Sequence, residues 1–242
     1  MFQPSKLKTK IFSSGTYLPP QIVTSDELFE EFKSEDKYGI PTNWMSEKMG
    51  ILERRMSSPD TKPSQLAIPA AEMALQNLND LPIDDIDLVI FCGIERDQAE
   101  PATAHKIKKS LNIDAPYAFD VANACFGFVD ALQIADSYIG SRIAKAALIV
   151  TGEIPTRVLL AAVDMLKRGV DIKTAKNIVG ALSVGDAGGA VVVGPSSDSR
   201  GSGFELFNCQ IYSDLLEQCV YETTEDGPVS YTHLTLPTTP YV

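Results

Sequence analysis

Between Asp87 and Glu153 the chain alternates short, nearly unbroken apolar runs with longer segments of helical period. "DLVIFCGI" is followed by "PATAHKIKKSLNI", then by "YAFDVANA", "CFGFVDALQIADSYIG" and "AKAALIVTGE". A strand that is apolar at successive positions has to be covered on both faces, and parallel strands need a long, usually helical crossover between them. The stretch therefore predicts an α/β fold, with a mainly parallel sheet covered by helices on both sides.

Upstream, "TSDELFEEF" offers a Thr or Ser N-cap with acids in the first helical turn, and "PSQLAIPAAEMALQNL" carries apolar residues at helical spacing. Both read as surface helices. Downstream, "ALSVGDAGGAVVVGP" reads as two apolar runs about a glycine-rich turn, and "SSDSRGSG" as a flexible connection. Residues 185–190, "GDAGGA", lack the lysine of a P-loop and the spacing of a dinucleotide fingerprint, so a tight turn between buried strands is expected there.

Asp and Glu total 32 against 21 Lys and Arg, a formal net charge of −11, which argues against a general nucleic-acid footprint. The opening "MFQPSKLKTKIFSSG" has no apolar core of signal-peptide length, and no run is long enough to span a membrane. The cysteines, at 92, 125, 209 and 219, follow neither zinc spacing nor a dense disulfide framework. Reduced thiols in a cytoplasm are the expectation.

Cys125 stands apart from the other three. "YAFDVANA" reads as a strand entering a sharp connection, after which Val129, Leu132, Ala135 and Ile139 recur at helical intervals. That puts Cys125 at a helix N-terminus, where unsatisfied N–H groups and the positive end of the helix dipole stabilise a thiolate. Ala122, Ala124 and Gly127 leave room for a substrate. A free cysteine can equally be a small apolar filler, as Cys92 inside "DLVIFCGI" is read to be. His105, beside Lys106, Lys108 and Lys109, reads as a structural residue on a partly exposed polar face.

"GTYLPPQIVTSDEL", "WMSEKMGILERR", "AFDVANACFGFVDALQIADSYI" and "VGDAGGAVVV" stand in an order that resembles β-ketoacyl-acyl carrier protein synthase III and its relatives in the thiolase superfamily. The likeness runs from about Lys8 to Val193. It implies the thiolase-type fold, in which two similar βαβαβαββ halves pack with layered α/β/α order. By this resemblance residues 7–195 are the first half, residues 196–228 a connection and the start of the second, and residues 229–242 a non-native tail. The closing "VSYTHLTLPTTPYV" leaves the preceding pattern and is similar to a translated sequencing adapter, so no role is given to His233.

The resemblance also implies roles. Cys125 would take an acyl group as a thioester from coenzyme A or acyl carrier protein, dividing a carbon–carbon condensation into two steps that end in a 3-oxoacyl product. Trp44, Lys48 and Arg157 would line the mouth of the coenzyme A or carrier-arm tunnel, lysine at 48 replacing the family's usual arginine. Glu100, in "ERDQAEPATAHKIKK", has a plain role as an acid complementing a helix beginning near Pro101. The likeness adds a second role, a base lent across a homodimer interface to the α-carbon of a second acyl thioester. No metal and no permanently bound cofactor are implied. Histidine and asparagine motifs resembling "PHQAN" and "GNTSAAS" do not occur, so the 242 residues are expected to be a truncated fragment, inactive alone, that exposes Val191–Val193. A noncatalytic partner subunit, or acyl transfer to an oxygen or nitrogen acceptor, remains open as an alternative.

Overall fold

The computed structural model describes residues 8–196, 202–224 and 227–232. In chain order the elements begin with β1 (Thr9–Tyr17), β2 (Gln21–Thr24), α1 (Ser25–Glu31), α2 (Ser34–Tyr38), α3 (Trp44–Met49) and β3 (Glu53–Met56). They continue with α4 (Pro63–Gln76), β4 (Ile86–Cys92), α5 (Thr103–Ser110), β5 (Tyr117–Val121), α6 (Gly127–Gly140) and β6 (Ala146–Glu153). Then come α7 (Thr156–Arg168), α8 (Ile172–Ile178), β7 (Ala187–Pro195), β8 (Cys219–Thr224) and β9 (Gly227–Thr232). Two compact units result. The first holds the described residues of Met1–Pro19, Asp60–Ile154 and Ala187–Cys209, and the second those of Pro20–Pro59, Pro155–Asp186 and Gln210–Val242.

The first unit is built on a five-stranded sheet in the order β1-β7-β6-β4-β5. Along β6, Ala146, Leu148 and Val150 pack with Ala67 and Ala71 of α4 and Ile107 of α5, while Ala147 and Ile149 pack with Ala131, Ala135 and Ile139 of α6. Successive side chains point to opposite faces and both faces are covered, which is why Leu88 to Cys92 of β4 and Ala146 to Val150 of β6 are unbroken apolar runs. Each fully buried Leu, Ile or Val contributes about 1.5–3 kcal/mol. The α/β expectation holds, as an α/β/α sandwich.

The sheet is mixed and not mainly parallel. β4 runs parallel to β5 and β6, but β6 with β7 and β7 with β1 are antiparallel. The expected glycine-rich hairpin is also absent: Val179–Ser183 is a 3₁₀ turn, and Gly188 and Gly189 already lie inside β7. Their use is steric. A Cβ on Gly188 would sit 2.0 Å from the Leu66 carbonyl oxygen of α4, and one on Gly152 of β6 would sit 2.1 Å from the Pro63 carbonyl oxygen. Only glycine lets α4 lie directly on these strands.

α4 is a surface helix with one face given to this contact: Ala67, Ala70, Ala71 and Ala74 are fully buried, while Gln65, Glu72 and Met73 are exposed. Val191, Val192 and Val193 are buried as well, within the first unit's own sandwich, and do not form an exposed face. Large apolar residues do lie exposed further on, at Leu206, Ile211 and Tyr212.

In the second unit, α1 starts as its sequence demands. Thr24 N–H donates to Glu27 Oε2 at 2.8 Å, and Glu27 N–H donates back to Thr24 Oγ1 at 3.2 Å, a reciprocal capping box. Leu28 and Phe29 of α1 then pack with Met45 of α3, Leu159, Val163 and Leu166 of α7, and Leu182. Buried Arg54 of β3 donates from Nη2 to the Leu182 carbonyl at 3.0 Å and to Ser25 Oγ at 2.9 Å. β8 pairs with β9, so Val229 to Thr232 are bonded opposite Glu222 to Cys219, and His233 lies outside the described residues.

Candidate active site

β5 ends at Val121, and the chain turns sharply before α6. Asn123 lies outside the regular regions at φ −152°, ψ 47°, Ala124 takes a left-handed φ of +46°, and residues 124–126 make one 3₁₀ turn. A side chain in that left-handed region is strained by about 1–3 kcal/mol and persists only where surrounding bonds hold it. Here Asn123 Nδ2 donates to Asp130 Oδ2 at 2.7 Å, across the first turn of α6, and Phe126 N–H donates to the Asn123 carbonyl at 3.0 Å. The turn lifts Cys125 into solvent, directly before the helix. No side chain caps the start of α6; its first residue, Gly127, donates its N–H to the Ala124 carbonyl of the 3₁₀ turn.

Cys92 and Cys209 are placed differently. Cys92 is buried in β4, its Sγ reaches the Val150 carbonyl at 3.6 Å, and burial, with Glu153 and Asp120 adding to it, pushes the thiol up to about 12. Cys209 is exposed in an irregular segment.

Glu100 is an exposed residue in the loop between β4 and α5, and its bond to Pro101 is cis. The helix begins at Thr103, and the acid that serves its N-terminus is Asp120 of β5 and not Glu100. Asp120 accepts from Thr103 N–H at 2.8 Å and from Ala104 N–H at 2.9 Å. Asp97 fixes the earlier part of the loop. Its carboxylate accepts from Ser64 N–H at 2.9 Å, Ser64 Oγ at 2.7 Å and Lys106 Nζ at 2.6 Å. Burial opposes that charge, but the Lys106 and Ser64 bonds outweigh it and hold the carboxyl below its usual range. Neither Asp120 nor Asp97 is marked as an anchor by local sequence, because every partner lies on another element.

Glu153, at the end of β6, accepts from Ile94 N–H at 3.0 Å at the loop's start. Burial raises this carboxyl to about 7, with Glu95 adding to the rise and the Ile94 bond opposing it. The folded protein therefore holds a proton on Glu153 between about 4.5 and about 7 that the unfolded chain releases. Stability contributed by this group is complete below the lower value and is lost as pH rises through the higher one. Urea unfolding at pH 5 and pH 8 should show a smaller drop in midpoint for Glu153→Gln than for the parent. An equal drop in both would show that Glu153 is not the titrating group.

Trp44 and Lys48 are one turn apart on α3 and share a face. Trp44 is half-buried and stacks on Phe29, ring centroids 6.3 Å apart at 24°, whereas Lys48 is exposed. Beside Trp44 is a hollow of about 190 Å³, lined by Gly39, Ile40, Pro41, Trp44, Val179 and the single cation Lys176. Arg157 is the second residue of α7, and its Nε and Nη2 each reach the Pro59 carbonyl at 3.4 Å. Cys125 and Glu100 thus belong to the first unit, and Trp44, Lys48 and Arg157 to the second. His105 is exposed on α5. Among the described residues no helix is long and apolar enough to cross a membrane.

Residues 119–214, which begin in β5 and include the Cys125 turn, match the family 3-Oxoacyl-[acyl-carrier-protein (ACP)] synthase III. The chain is 30% identical over 224 residues to "Beta-ketoacyl-[acyl-carrier-protein] synthase III" of Yersinia pseudotuberculosis, covering 93% of this chain and 64% of that protein. A Vibrio parahaemolyticus synthase III is 31% identical over 218 residues, with 90% and 62% covered. The chain thus spans about 64% of the length of the first of these relatives. Among solved structures, a cysteine-to-serine variant of Xanthomonas campestris OleA with bound lauric acid and lauroyl-CoA superposes with a TM-score of 0.83 at 26% identity, covering 98% of this chain and 68% of that one.

A layered α/β/α unit with a cysteine on the strained turn into its central helix defines a thiolase-fold chain. Within that superfamily its sequence is similar to β-ketoacyl-acyl carrier protein synthase III.

Proposed function

We propose that the protein is a homodimeric acyltransferase that condenses two acyl thioesters. The observation that carries this reading is the exposed Cys125 on its strained turn, inside the segment that matches the synthase III family. The Cys125 thiolate attacks the carbonyl carbon of an acyl-coenzyme A or acyl carrier protein. The new C–S bond forms as the old one breaks, the carrier thiol leaves, and the acyl group remains as a thioester. Glu100 of the partner subunit then takes a proton from the α-carbon of a second acyl thioester. That carbon attacks the Cys125-bound carbonyl, the cysteine sulfur is expelled, and a 3-oxoacyl thioester departs.

Several features support the reading. Glu100 is exposed on a loop held at its base, as a side chain that serves a neighbouring subunit has to be. Trp44, Lys48 and Arg157 offer an aromatic face and two cations to the nucleotide end of coenzyme A or to a carrier's phosphopantetheine arm. Apart from these thioester substrates no cofactor is required, and free thiols fit a cytoplasmic setting. Since OleA was solved with a lauroyl chain, medium to long saturated acyl groups are the first to try.

The test separates the two half-reactions. In the full-length protein supplied with lauroyl-CoA, Glu100→Gln should leave acylation of Cys125 within about twofold of the parent and lower 3-oxoacyl formation by about 10²-fold or more. Loss of both steps, or of neither, would refute the role of Glu100. Acylation with transfer to an added alcohol or amine in place of a 3-oxoacyl product would replace condensation with simple acyl transfer.

A further inference from the structure

The loop that carries Glu100 runs from Gly93 to Ala102 without regular structure, so its polar backbone must find partners one by one. Its base is tied down three times. Ile94 N–H is held by Glu153, the carboxylate of Asp97 takes three donors, and Asp97 N–H donates to Thr103 Oγ1 at 3.2 Å. Beyond Asp97 the ties thin out. Gln98, Ala99, Glu100 and Pro101 are all exposed, and Gln98 Nε2 reaches the Pro101 carbonyl at a long 3.4 Å.

Asp97 is unlike an ordinary loop acid. Its side chain is only 1% exposed although it sits three residues before the exposed Glu100, and it joins three elements: Ser64 in the first turn of α4, Lys106 on α5, and the loop itself. A carboxylate is the side chain that can accept from a backbone N–H, a hydroxyl and an ammonium at once. Asparagine has the same shape, but it offers one oxygen and turns an NH₂ group toward donors.

We propose that Asp97 is a positioning residue for Glu100: by pinning the loop base to α4 and α5 it fixes where the exposed tip presents its carboxylate. This rests on the reading of Glu100 as the base of the condensation. Asp97 touches no substrate. Glu100 follows it by three positions, a reach of about 10 Å in extended chain, so freedom gained at the base is passed to the tip. An error of about 1 Å in placing a reacting group can cost about 10²-fold in rate.

The experiment compares Asp97→Asn, Glu100→Gln and the double variant in the full-length protein, with lauroyl-CoA as probe. Acylation of Cys125 is read by intact mass and 3-oxoacyl formation by product analysis. Asp97→Asn is expected to acylate within about twofold of the parent and to condense about 10- to 100-fold more slowly. The double variant should be no slower than Glu100→Gln alone, because Asp97 acts only through Glu100. Should Asp97→Asn not fold, Ser64→Ala removes one of the three donors and should reproduce the same split at about 3- to 10-fold. Normal condensation in Asp97→Asn, beside a Glu100→Gln that is dead in condensation, would overturn the positioning role alone. A Glu100→Gln that condenses normally would overturn the reading beneath it. Additive losses in the double variant would make Asp97 a structural residue only.

Discussion

Replacing Cys125 with serine is expected to reduce formation of the acyl-enzyme from lauroyl-CoA by at least about 10³-fold, close to 4 kcal/mol of barrier. The substitution exchanges one atom on an exposed side chain, so the strained turn at Ala124 and the Asn123–Asp130 bond beneath it should survive, and the unfolding midpoint should not move. What is lost is chemistry. A thiol yields a strongly nucleophilic thiolate near neutral pH, whereas a serine hydroxyl needs an adjacent base to act. Intact-mass measurement before and after hydroxylamine checks the result, since a thioester is cleaved and an amide is not. If the serine variant still gains one hydroxylamine-labile acyl group, exposed Cys209 becomes the acceptor to examine and the proposed nucleophile is wrong.

Asp186→Ala should cost about 3–5 kcal/mol of folding stability, measured as a shift of the urea transition at constant slope. Asp186 is 1% exposed in the second unit, and its carboxylate accepts from Ser57 N–H at 2.7 Å, Thr156 N–H at 3.0 Å and Thr156 Oγ1 at 2.7 Å. Alanine would leave all three donors buried without a partner, and it would remove the negative charge from the N-terminus of α7. Asp186→Asn keeps one acceptor and should cost less. A loss under about 1 kcal/mol for the alanine variant would mean that water replaces the carboxylate at no cost.

Asp186 also shows how far the sequence could be read. In "GDAGGA" the glycines suggested a turn, yet Gly188 and Gly189 sit in β7, with α4 passing directly over Gly188, and the aspartate between them and the 3₁₀ turn binds residues 30 and 129 positions away. Nothing local distinguishes that arrangement from a hairpin. The central strands of the first unit were legible for the opposite reason: burial on two faces writes itself into the consecutive apolar positions Leu88 to Cys92 of β4 and Ala146 to Val150 of β6. The antiparallel return of β7 was not, since apolar content carries no direction.

For the candidate site the division is similar. The approach of β5 to α6 is a local change of period, so the position of Cys125 at their junction could be read directly. The left-handed Ala124 could not, because alanine has no preference for that conformation and takes it here under pressure from its surroundings. Asp97, Asp120 and Glu153 were invisible as anchors. Each is a single acid in a chain rich in acids, and only the fold brings it to the N–H groups it serves.

The approach of α4 to Gly152 and Gly188 has a reach beyond local packing. Ser64 stands between Pro63 and Leu66, the two residues whose carbonyls press on those strands, and it gives both of its donors to Asp97. The spacing of helix from sheet is thus gauged by main chain against main chain, with no flexible side chain in between to absorb error. The loop that carries Glu100 is tied, through Ser64, to that same main-chain contact.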